Sequence, residues 1–164
     1  MQENLQEKIN FEEVFENEVW RRKYNGEVKK IISISVCDIH KNDSNKYVKY
    51  KLSSKVIFTN EIHEELEIFH RYSDFHQLNQ DLKEICKNNK LSIVFPNFPE
   101  KTYFGGYYYD VEGYRVSEFN KYFLEILKLD SFIQNDKLFS RLSRFILNGE
   151  VKKKKKIHFV FFIV

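Results

Sequence analysis

The hydrophobic positions between residues 28 and 72 follow the period of two that is typical of half-buried β-strands. Isoleucine and valine, which favour strands, are frequent in this part of the chain. The pattern predicts strands over residues 28–39, 47–58 and 65–72. The segments 40–46 and 59–63 between them are polar, and strands joined by short polar connections form an antiparallel meander.

Beyond residue 72 the hydrophobic spacing changes from that of a strand to that of an amphipathic helix. A helix is predicted over residues 73–87 with Ser73 as its N-cap, and two more over 114–129 and 136–147. The inner face of the first predicted helix consists of Phe75, Leu78, Leu82 and Ile85. The predicted fold class is α+β, with a three-stranded antiparallel meander packed against a helical subdomain.

Two prolines interrupt the helical pattern in residues 95–101. Prolines three residues apart exclude a helix and favour an extended polyproline II segment. We interpret this segment as a rigid strut that positions Lys101, the residue at its end. The alternative is a PxxP ligand for an SH3 domain, for which a bare PxxP is a weak signal.

A loop rich in aromatic residues follows the strut at residues 102–110. Exposed aromatic side chains are costly unless an apolar or interfacial environment receives them, and tyrosine suits the headgroup zone of a bilayer. The residues expected to insert into a membrane are Phe104, Tyr107, Tyr108 and Tyr109. The alternative is that half of these rings fold back onto the core.

The length of 164 residues fits one domain with extensions. Residues 1–25 are predicted to form an acidic arm with imperfect helical spacing. This arm could recruit protein partners. The domain is expected over residues 26–148, and residues 149–164 form a basic and then apolar tail. A monomer is expected.

The net charge of +3 is concentrated in the tail. Its lysine run consists of Lys152, Lys153, Lys154, Lys155 and Lys156. Without these five lysines, 22 of the 27 basic residues remain against 24 acidic ones, a net charge of −2. A nucleic-acid-binding domain would carry basic residues over a whole face, so no nucleic-acid partner is expected and any anion site must be local. The tail is interpreted as flexible, and its lysine run would add affinity for an anionic membrane surface. The alternatives are a shallow membrane anchor, a sticky disordered end or a patch that resembles a nuclear-localisation signal.

The remaining chemistry of the chain does not indicate an enzyme. Its five histidines have no metal-binding spacing, and neither a glycine-rich phosphate loop nor a nucleophile elbow occurs. Cys37 and Cys86, the only cysteines, are interpreted as buried free thiols. No metal or cofactor is expected. The N-terminal residues show no signal peptide, and the longest apolar run is too short to cross a membrane, so a cytoplasmic protein is expected.

Arg71 and Tyr72 lie where the third predicted strand meets the first predicted helix. An arginine beside the N–H groups of a helix N-terminus forms a corner that binds anions, and the adjacent ring could stack on a flat or cyclic ligand. The alternative is that Arg71 pairs with a glutamate and Tyr72 packs in the core. Arg115 precedes Phe119 by four residues and therefore projects from the inner stripe of its helix. Its partner could be an anionic ligand or a carboxylate such as Asp110 or Glu112.

The run Arg-Tyr-Ser-Asp-Phe at 71–75, the strut that ends in Lys101, and Arg115 occur in this order along the chain. In this combination the chain resembles a phox-homology (PX) domain from about residue 26 to 148. The resemblance implies a module that binds phosphoinositides, most often phosphatidylinositol 3-phosphate. His70 departs from the family pattern, which often has a second basic residue there, and Glu100 departs from the usual proline run.

The resemblance also implies a role for each matching residue. Arg71 would bind the 3-phosphate, and Tyr72 would stack beneath the inositol ring. Lys101 would neutralise the 1-phosphate, and Arg115 would hydrogen-bond the 4- and 5-hydroxyls. It implies peripheral association with endosomal or vacuolar membranes and a role in protein transport. The alternative is a module with the same fold that binds a peptide or partner protein instead of a lipid.

Overall fold

The computed structural model describes residues 27–41, 47–101 and 111–149. The predictions made for the N-terminal arm, for the aromatic loop after the strut and for the lysine run fall outside the described residues.

The three predicted strands form one sheet. They are β1 (Val28–Lys41), β2 (Val48–Phe58) and β3 (His63–Arg71). The sheet order is β1-β2-β3 and both pairings are antiparallel, so the predicted meander is confirmed. Val36, Leu52 and Ile68 occupy one line across the three strands, and all three side chains are buried. The alternation therefore gives the sheet one face toward the core.

The same alternation corrects the prediction for one cysteine. Cys37 follows the buried Val36 and therefore emerges on the other face of β1, where it is exposed. Cys86 is buried, as predicted, on the inner side of its helix.

In the described residues, four helices follow the sheet. They are α1 (Tyr72–Asn88), α2 (Val111–Leu127), α3 (Asp130–Ile133) and α4 (Asp136–Leu147). The α+β class is confirmed, and α3 is an additional single turn that the hydrophobic spacing did not indicate. The chain is neither helical nor extended into a sheet over residues 91–101, in agreement with the prediction for the proline segment. No helix of the described ranges is long and apolar enough to cross a membrane.

The start of α1 differs from the prediction by two residues, because the N-cap is Arg71 and not Ser73. The Asp74 carboxylate accepts a hydrogen bond from the Arg71 backbone N–H at 2.8 Å. An acidic side chain at the third helical position that binds back to the N-cap N–H is one half of a capping box. The helix therefore begins directly at the end of β3, and this junction fixes the backbone of Arg71.

Phe75 lies at the centre of the core. Its side chain is 1% exposed and stacks on Phe119 of α2, with 4.1 Å between the ring centroids. It also makes edge contacts with Tyr50 of β2, His70 of β3 and Phe145 of α4. One ring on α1 thus contacts the sheet and both longer helices that follow.

The capping interaction predicts that the stability difference between the wild type and an Asp74 variant depends on pH. The neighbouring His70 imidazole and the Arg71 N–H hold the pKa of Asp74 below its ordinary value of 3.8. A carboxyl group with a lowered pKa in the folded state stabilises the protein above its unfolded-state pKa, and this contribution is lost as pH falls through the folded-state pKa. We expect Asp74→Ala to lower stability by about 1 kcal/mol at pH 7, the typical cost of losing a cap.

Thermal unfolding followed by circular dichroism between pH 7 and pH 2.5 measures this difference. The melting temperatures of the wild type and of Asp74→Ala should converge below pH 3.8, where the wild-type carboxyl group becomes protonated. Asp74→Asn serves as the control, because it keeps a hydrogen-bond acceptor and removes only the charge. A difference that persists unchanged to the lowest pH would contradict the expected role of the Asp74 charge.

Candidate anion-binding site

Arg71 is held at the junction of β3 and α1. Its backbone is extended, and its side chain is exposed at the positive end of a 17-residue helix. The guanidinium lies over the Tyr47 ring, with 3.6 Å between Cζ and the ring centroid. Within the described ranges no carboxylate pairs with the Arg71 side chain, so the predicted alternative of a glutamate partner is not observed there. The guanidinium remains accessible to an anion.

Tyr72 links the first turn of α1 to the proline strut. Its hydroxyl group donates a hydrogen bond to the Pro99 carbonyl at 2.7 Å, and its ring lies 6.0 Å from that of Phe98. The side chain is half-buried, and burial raises the pKa of the hydroxyl group, which is therefore neutral at pH 7. Lys101 follows Pro99 by two residues and is exposed, so the end of the strut lies close to the start of α1.

Arg115 contacts the ring of the same tyrosine. Its Cζ lies 4.2 Å from the Tyr72 ring centroid, which is a cation–π distance. Its Nη1 lies 3.5 Å from the Tyr50 hydroxyl oxygen, at the upper limit for a hydrogen bond. Its Nε is buried without a hydrogen-bond partner in the part of the chain that the structure describes. Such a donor is costly to bury, so this guanidinium has donor capacity for a ligand.

The two carboxylates that were predicted as alternative partners of Arg115, Glu112 and Asp110, differ in what the structure shows of them. Glu112 pairs with Lys41 on β1 at 2.9 Å, and among the ion pairs of the described residues none joins Glu112 to Arg115. Asp110 lies outside the described residues.

The structure thus brings Tyr72 and Arg115 into direct contact, beside the end of the strut that carries Lys101. Arg71 precedes Tyr72 in the chain, so its backbone lies beside these residues. Its guanidinium, however, lies over the Tyr47 ring. A cation–π contact at an exposed site contributes only about 0.5–1 kcal/mol, whereas a charge-assisted hydrogen bond contributes about 1.5–3 kcal/mol. The contact between Arg71 and Tyr47 is therefore weaker than a charge-assisted hydrogen bond from the same guanidinium.

His70, the departure from the family pattern, has a structural role. It is 7% exposed, and its Nε2 lies 2.8 Å from the Phe145 carbonyl oxygen of α4. Its ring stacks on the Phe145 ring with 4.0 Å between the centroids. His70 therefore connects β3 to α4 beneath Arg71 instead of facing the candidate ligand.

Sequence reasoning missed a second set of basic residues near Arg71. Lys49, Arg141 and Arg144 line a groove of about 620 Å³ together with Arg71. Part of this grouping has a sequence signal, because Arg141 and Arg144 are three residues apart and share a helix face. The approach of that face to β2 and β3 depends on tertiary packing, which the sequence pattern did not reveal.

Comparisons with known proteins identify the family of this chain. The family model described as PX domain matches residues 58–146, more than half of the chain, so the chain belongs to the PX domain family. Among 18 matching chains of solved structures is one described as an X-ray structure of a designed CISK-PX domain. Its TM-score is 0.49 at 22% identity, and the match covers 66% of this chain and 96% of that chain. The comparison with curated proteins gave no match.

PX domains are generally phosphoinositide-binding modules, they associate peripherally with membranes, and they are typically not enzymes. The matched range begins at the last residue of β2, although β1 and β2 pair along their whole length. The domain boundaries at residues 26 and 148 stay a prediction.

Proposed function

We propose that this PX domain recognises phosphatidylinositol 3-phosphate in membranes through Arg71, Tyr72, Lys101 and Arg115. The observation that carries the proposal is the Arg115 guanidinium, which stacks on the half-buried Tyr72 ring and keeps a buried donor without a partner in the described ranges. A neutral ring beside donors of a fixed planar group suits a cyclic polyol that carries phosphate.

Two of the proposed residues bind phosphate groups, and the other two bind the inositol ring and its hydroxyl groups. Arg71 contacts the 3-phosphate, Lys101 neutralises the 1-phosphate, and Tyr72 stacks under the inositol ring. Arg115 donates to the 4- and 5-hydroxyls, which leaves little room for phosphate groups at those positions. Three cationic contacts of about 1.5–3 kcal/mol each sum to about 4.5–9 kcal/mol, and the cost of association lowers this total, so these contacts alone give an affinity weaker than micromolar.

Such weak affinity for one headgroup does not give long residence on a membrane. Phe104 and Tyr107 to Tyr109 are proposed to insert beside the headgroup, and the lysine run at 152–156 is proposed to add attraction to the anionic surface. We propose that the protein acts as a monomer on endosomal or vacuolar membranes in protein transport. The acidic arm is proposed to contact protein partners.

Co-sedimentation with liposomes tests the proposed lipid choice. The panel contains each phosphoinositide separately, with phosphatidylserine liposomes of equal surface charge as the reference. We expect the wild type to pellet preferentially with phosphatidylinositol 3-phosphate. Arg115→Gln should weaken this binding by about tenfold, because one charge-assisted contact is lost.

The control is Lys83→Gln, which removes one positive charge from an exposed position on α1. It should bind as the wild type does. Equal pelleting with every anionic lipid would assign binding to the lysine run and overturn the proposed pocket. No pelleting with any phosphoinositide would favour a protein-interaction module instead.

A further inference from the structure

Asn120 of α2 binds the backbone of β1 through both ends of its side-chain amide. Its Oδ1 accepts a hydrogen bond from the Val36 N–H at 2.7 Å, and its Nδ2 donates to the Val36 carbonyl oxygen at 3.0 Å. The side chain therefore makes with Val36 the two contacts that a residue of a neighbouring strand would make. We call these two hydrogen bonds the amide clamp.

The amide clamp lies at the edge of the sheet. In the part of the chain that the structure describes, β1 has β2 as its one neighbouring strand. An edge strand points part of its N–H and carbonyl groups away from the sheet, and such groups need another partner where they are shielded from water. Both hydrogen bonds of the clamp are partly buried, so Asn120 supplies that partner for Val36 and attaches α2 to the edge of β1.

The amide clamp allows only discrete positions of α2 along β1. Outward-pointing pairs of N–H and carbonyl groups recur at every second residue of a strand, about 6.6–6.8 Å apart. A smaller displacement of α2 leaves the Asn120 amide and the Val36 groups without their partners, which is costly. The strand register also shifts between Val36 and Asp38, so the regular repeat is interrupted directly beside the clamp. The clamp therefore fixes the position of α2 along its axis.

Other contacts of α2 define this position less sharply. Phe119 stacks on Phe75 and meets the Tyr50 ring edge-on at 5.5 Å between centroids. Burial of apolar surface stabilises the helix but is non-directional. The Lys41 side chain in the ion pair with Glu112 is 55% exposed, and surface ion pairs contribute little. The directional contacts of Asn120 therefore carry most of the register of α2 on β1.

Arg115 depends on this register. It precedes Asn120 by five residues on α2, a rise of about 7.5 Å along the helix. Its stacking partner Tyr72 belongs to α1 and is held separately, by its hydrogen bond to the Pro99 carbonyl. The Arg115 Cζ lies 4.2 Å from the Tyr72 ring centroid, and a cation–π contact extends to about 6 Å. A displacement of α2 by one strand repeat would therefore break the stack.

We propose that Asn120 is a positioning residue for the headgroup pocket, because its amide fixes α2 on β1 and thereby holds Arg115 on the Tyr72 ring. This inference rests on the proposed function, in which Arg115 donates to the 4- and 5-hydroxyls of the inositol ring. Asn120 acts through Arg115 and does not touch the headgroup. Arg71 stays in place at the start of α1 when α2 moves. Loss of the clamp therefore reduces the discrimination between headgroups more than the total affinity.

NMR spectroscopy of the full chain without lipid tests the position of Arg115 directly. Protons of a guanidinium that lies over an aromatic ring resonate upfield, and Arg115→Gln assigns this signal by its loss. Asn120→Leu removes both hydrogen bonds at similar side-chain volume. We expect it to abolish the upfield shift of the Arg115 signal and to speed hydrogen exchange of the Val36 amide. An Arg115 signal that keeps its wild-type position in Asn120→Leu would overturn the proposal.

Asn120→Asp gives a second variant with a pH readout. It keeps the acceptor and removes the donor, so near pH 7 a carboxylate faces the Val36 carbonyl oxygen and the Arg115 signal should be displaced. Protonation of the new carboxyl group restores a donor. The signal should therefore return toward its wild-type position between pH 7 and pH 4, whereas the wild-type signal stays constant. A general loss of packing does not recover in this way, so an Asn120→Asp signal that is independent of pH would contradict the proposal.

Co-sedimentation with liposomes measures the effect on headgroup choice. The preference for phosphatidylinositol 3-phosphate over phosphatidylinositol 3,5-bisphosphate should fall by about tenfold in Asn120→Leu, the loss of one charge-assisted contact. Phe139→Ala is the stability control, because it truncates a half-buried side chain on α4. It should leave both the preference and the Arg115 signal unchanged. Equal changes in the two variants would indicate general loosening of the fold and overturn the proposal.

Failure of the proposed function gives a different result. A wild type without preference among phosphoinositides would overturn the headgroup pocket. Displacement of the lipid-free Arg115 signal in Asn120→Leu would then still support the positioning of Arg115 by Asn120. A displaced signal together with an intact lipid preference in Asn120→Leu would overturn the role of Asn120 in headgroup choice.

Discussion

Arg71→Ala is expected to weaken binding to phosphatidylinositol 3-phosphate by about 10- to 150-fold, the largest loss for any single polar residue of the site. This range corresponds to about 1.5–3 kcal/mol for charge-assisted hydrogen bonds to a phosphate group. The Arg71 side chain is exposed and its guanidinium lies over the half-buried Tyr47 ring, so the melting temperature should change little. Surface plasmon resonance on supported bilayers, together with thermal unfolding, measures both quantities.

The matched variants for this prediction are Arg71→Lys and Lys83→Ala. Arg71→Lys keeps the charge and loses the planar pair of donors, so intermediate affinity is expected. Lys83→Ala removes an equal charge from an exposed position on the same helix, and binding should stay as in the wild type. Because Arg71 also lines the groove that contains Arg141 and Arg144, Arg144→Gln is measured in parallel. Selective binding that survives Arg71→Ala would place the headgroup elsewhere on the molecule.

The sheet and the longer helices could be predicted because their signals are local. Alternation in β1 and β2 reflects one buried face, and the change of period after Tyr72 reflects the start of α1. The short helix α3 could not be predicted this way, because a single turn contains too few residues to show a period. The exact start of α1 depends on the hydrogen bond from Arg71 to Asp74, which is one of several capping patterns that the sequence allows.

The candidate site could be predicted only in part. The helical stripe indicated that Arg115 faces inward, and the structure gives the reason, since its guanidinium stacks on Tyr72. The rotation of the Arg71 side chain onto Tyr47 depends on pairing between β2 and β3 and was not predictable. The groove lined by Lys49, Arg71, Arg141 and Arg144 was missed for the same physical reason. It joins Lys49 to Arg144 across 95 positions of sequence, and only the packing of α4 on β3 brings them together.

The run from Arg71 to Phe75 combines two separate physical tasks. Its first residue is exposed and available to a ligand, whereas its last residue is buried at the meeting point of the sheet and the helices. The turn from β3 into α1 fixes the position of both. Substitutions at the two ends should therefore affect different measurements, with binding lost at one end and stability at the other.

Phe75→Ala is expected to lower the free energy of unfolding by about 3–5 kcal/mol, the cost of truncating a buried phenylalanine. A domain of this size is typically stable by about 5–15 kcal/mol, so a large part of the total would be lost. The cost is at the upper end, because the ring contacts Tyr50, Phe119 and Phe145 on three different elements, and no single element can move to fill the cavity. Urea denaturation followed by fluorescence measures the change.

Phe139→Ala makes the same chemical change at a half-buried position on α4. Less surface returns to water there, so its loss should be less than half of that for Phe75→Ala. Equal losses for the two variants would show that Phe75 is not the centre of the core. If Phe75→Ala folds at low temperature, its affinity for phosphatidylinositol 3-phosphate per folded molecule should be close to that of the wild type, since Phe75 supports the site through stability and does not contact the ligand in the proposed pocket.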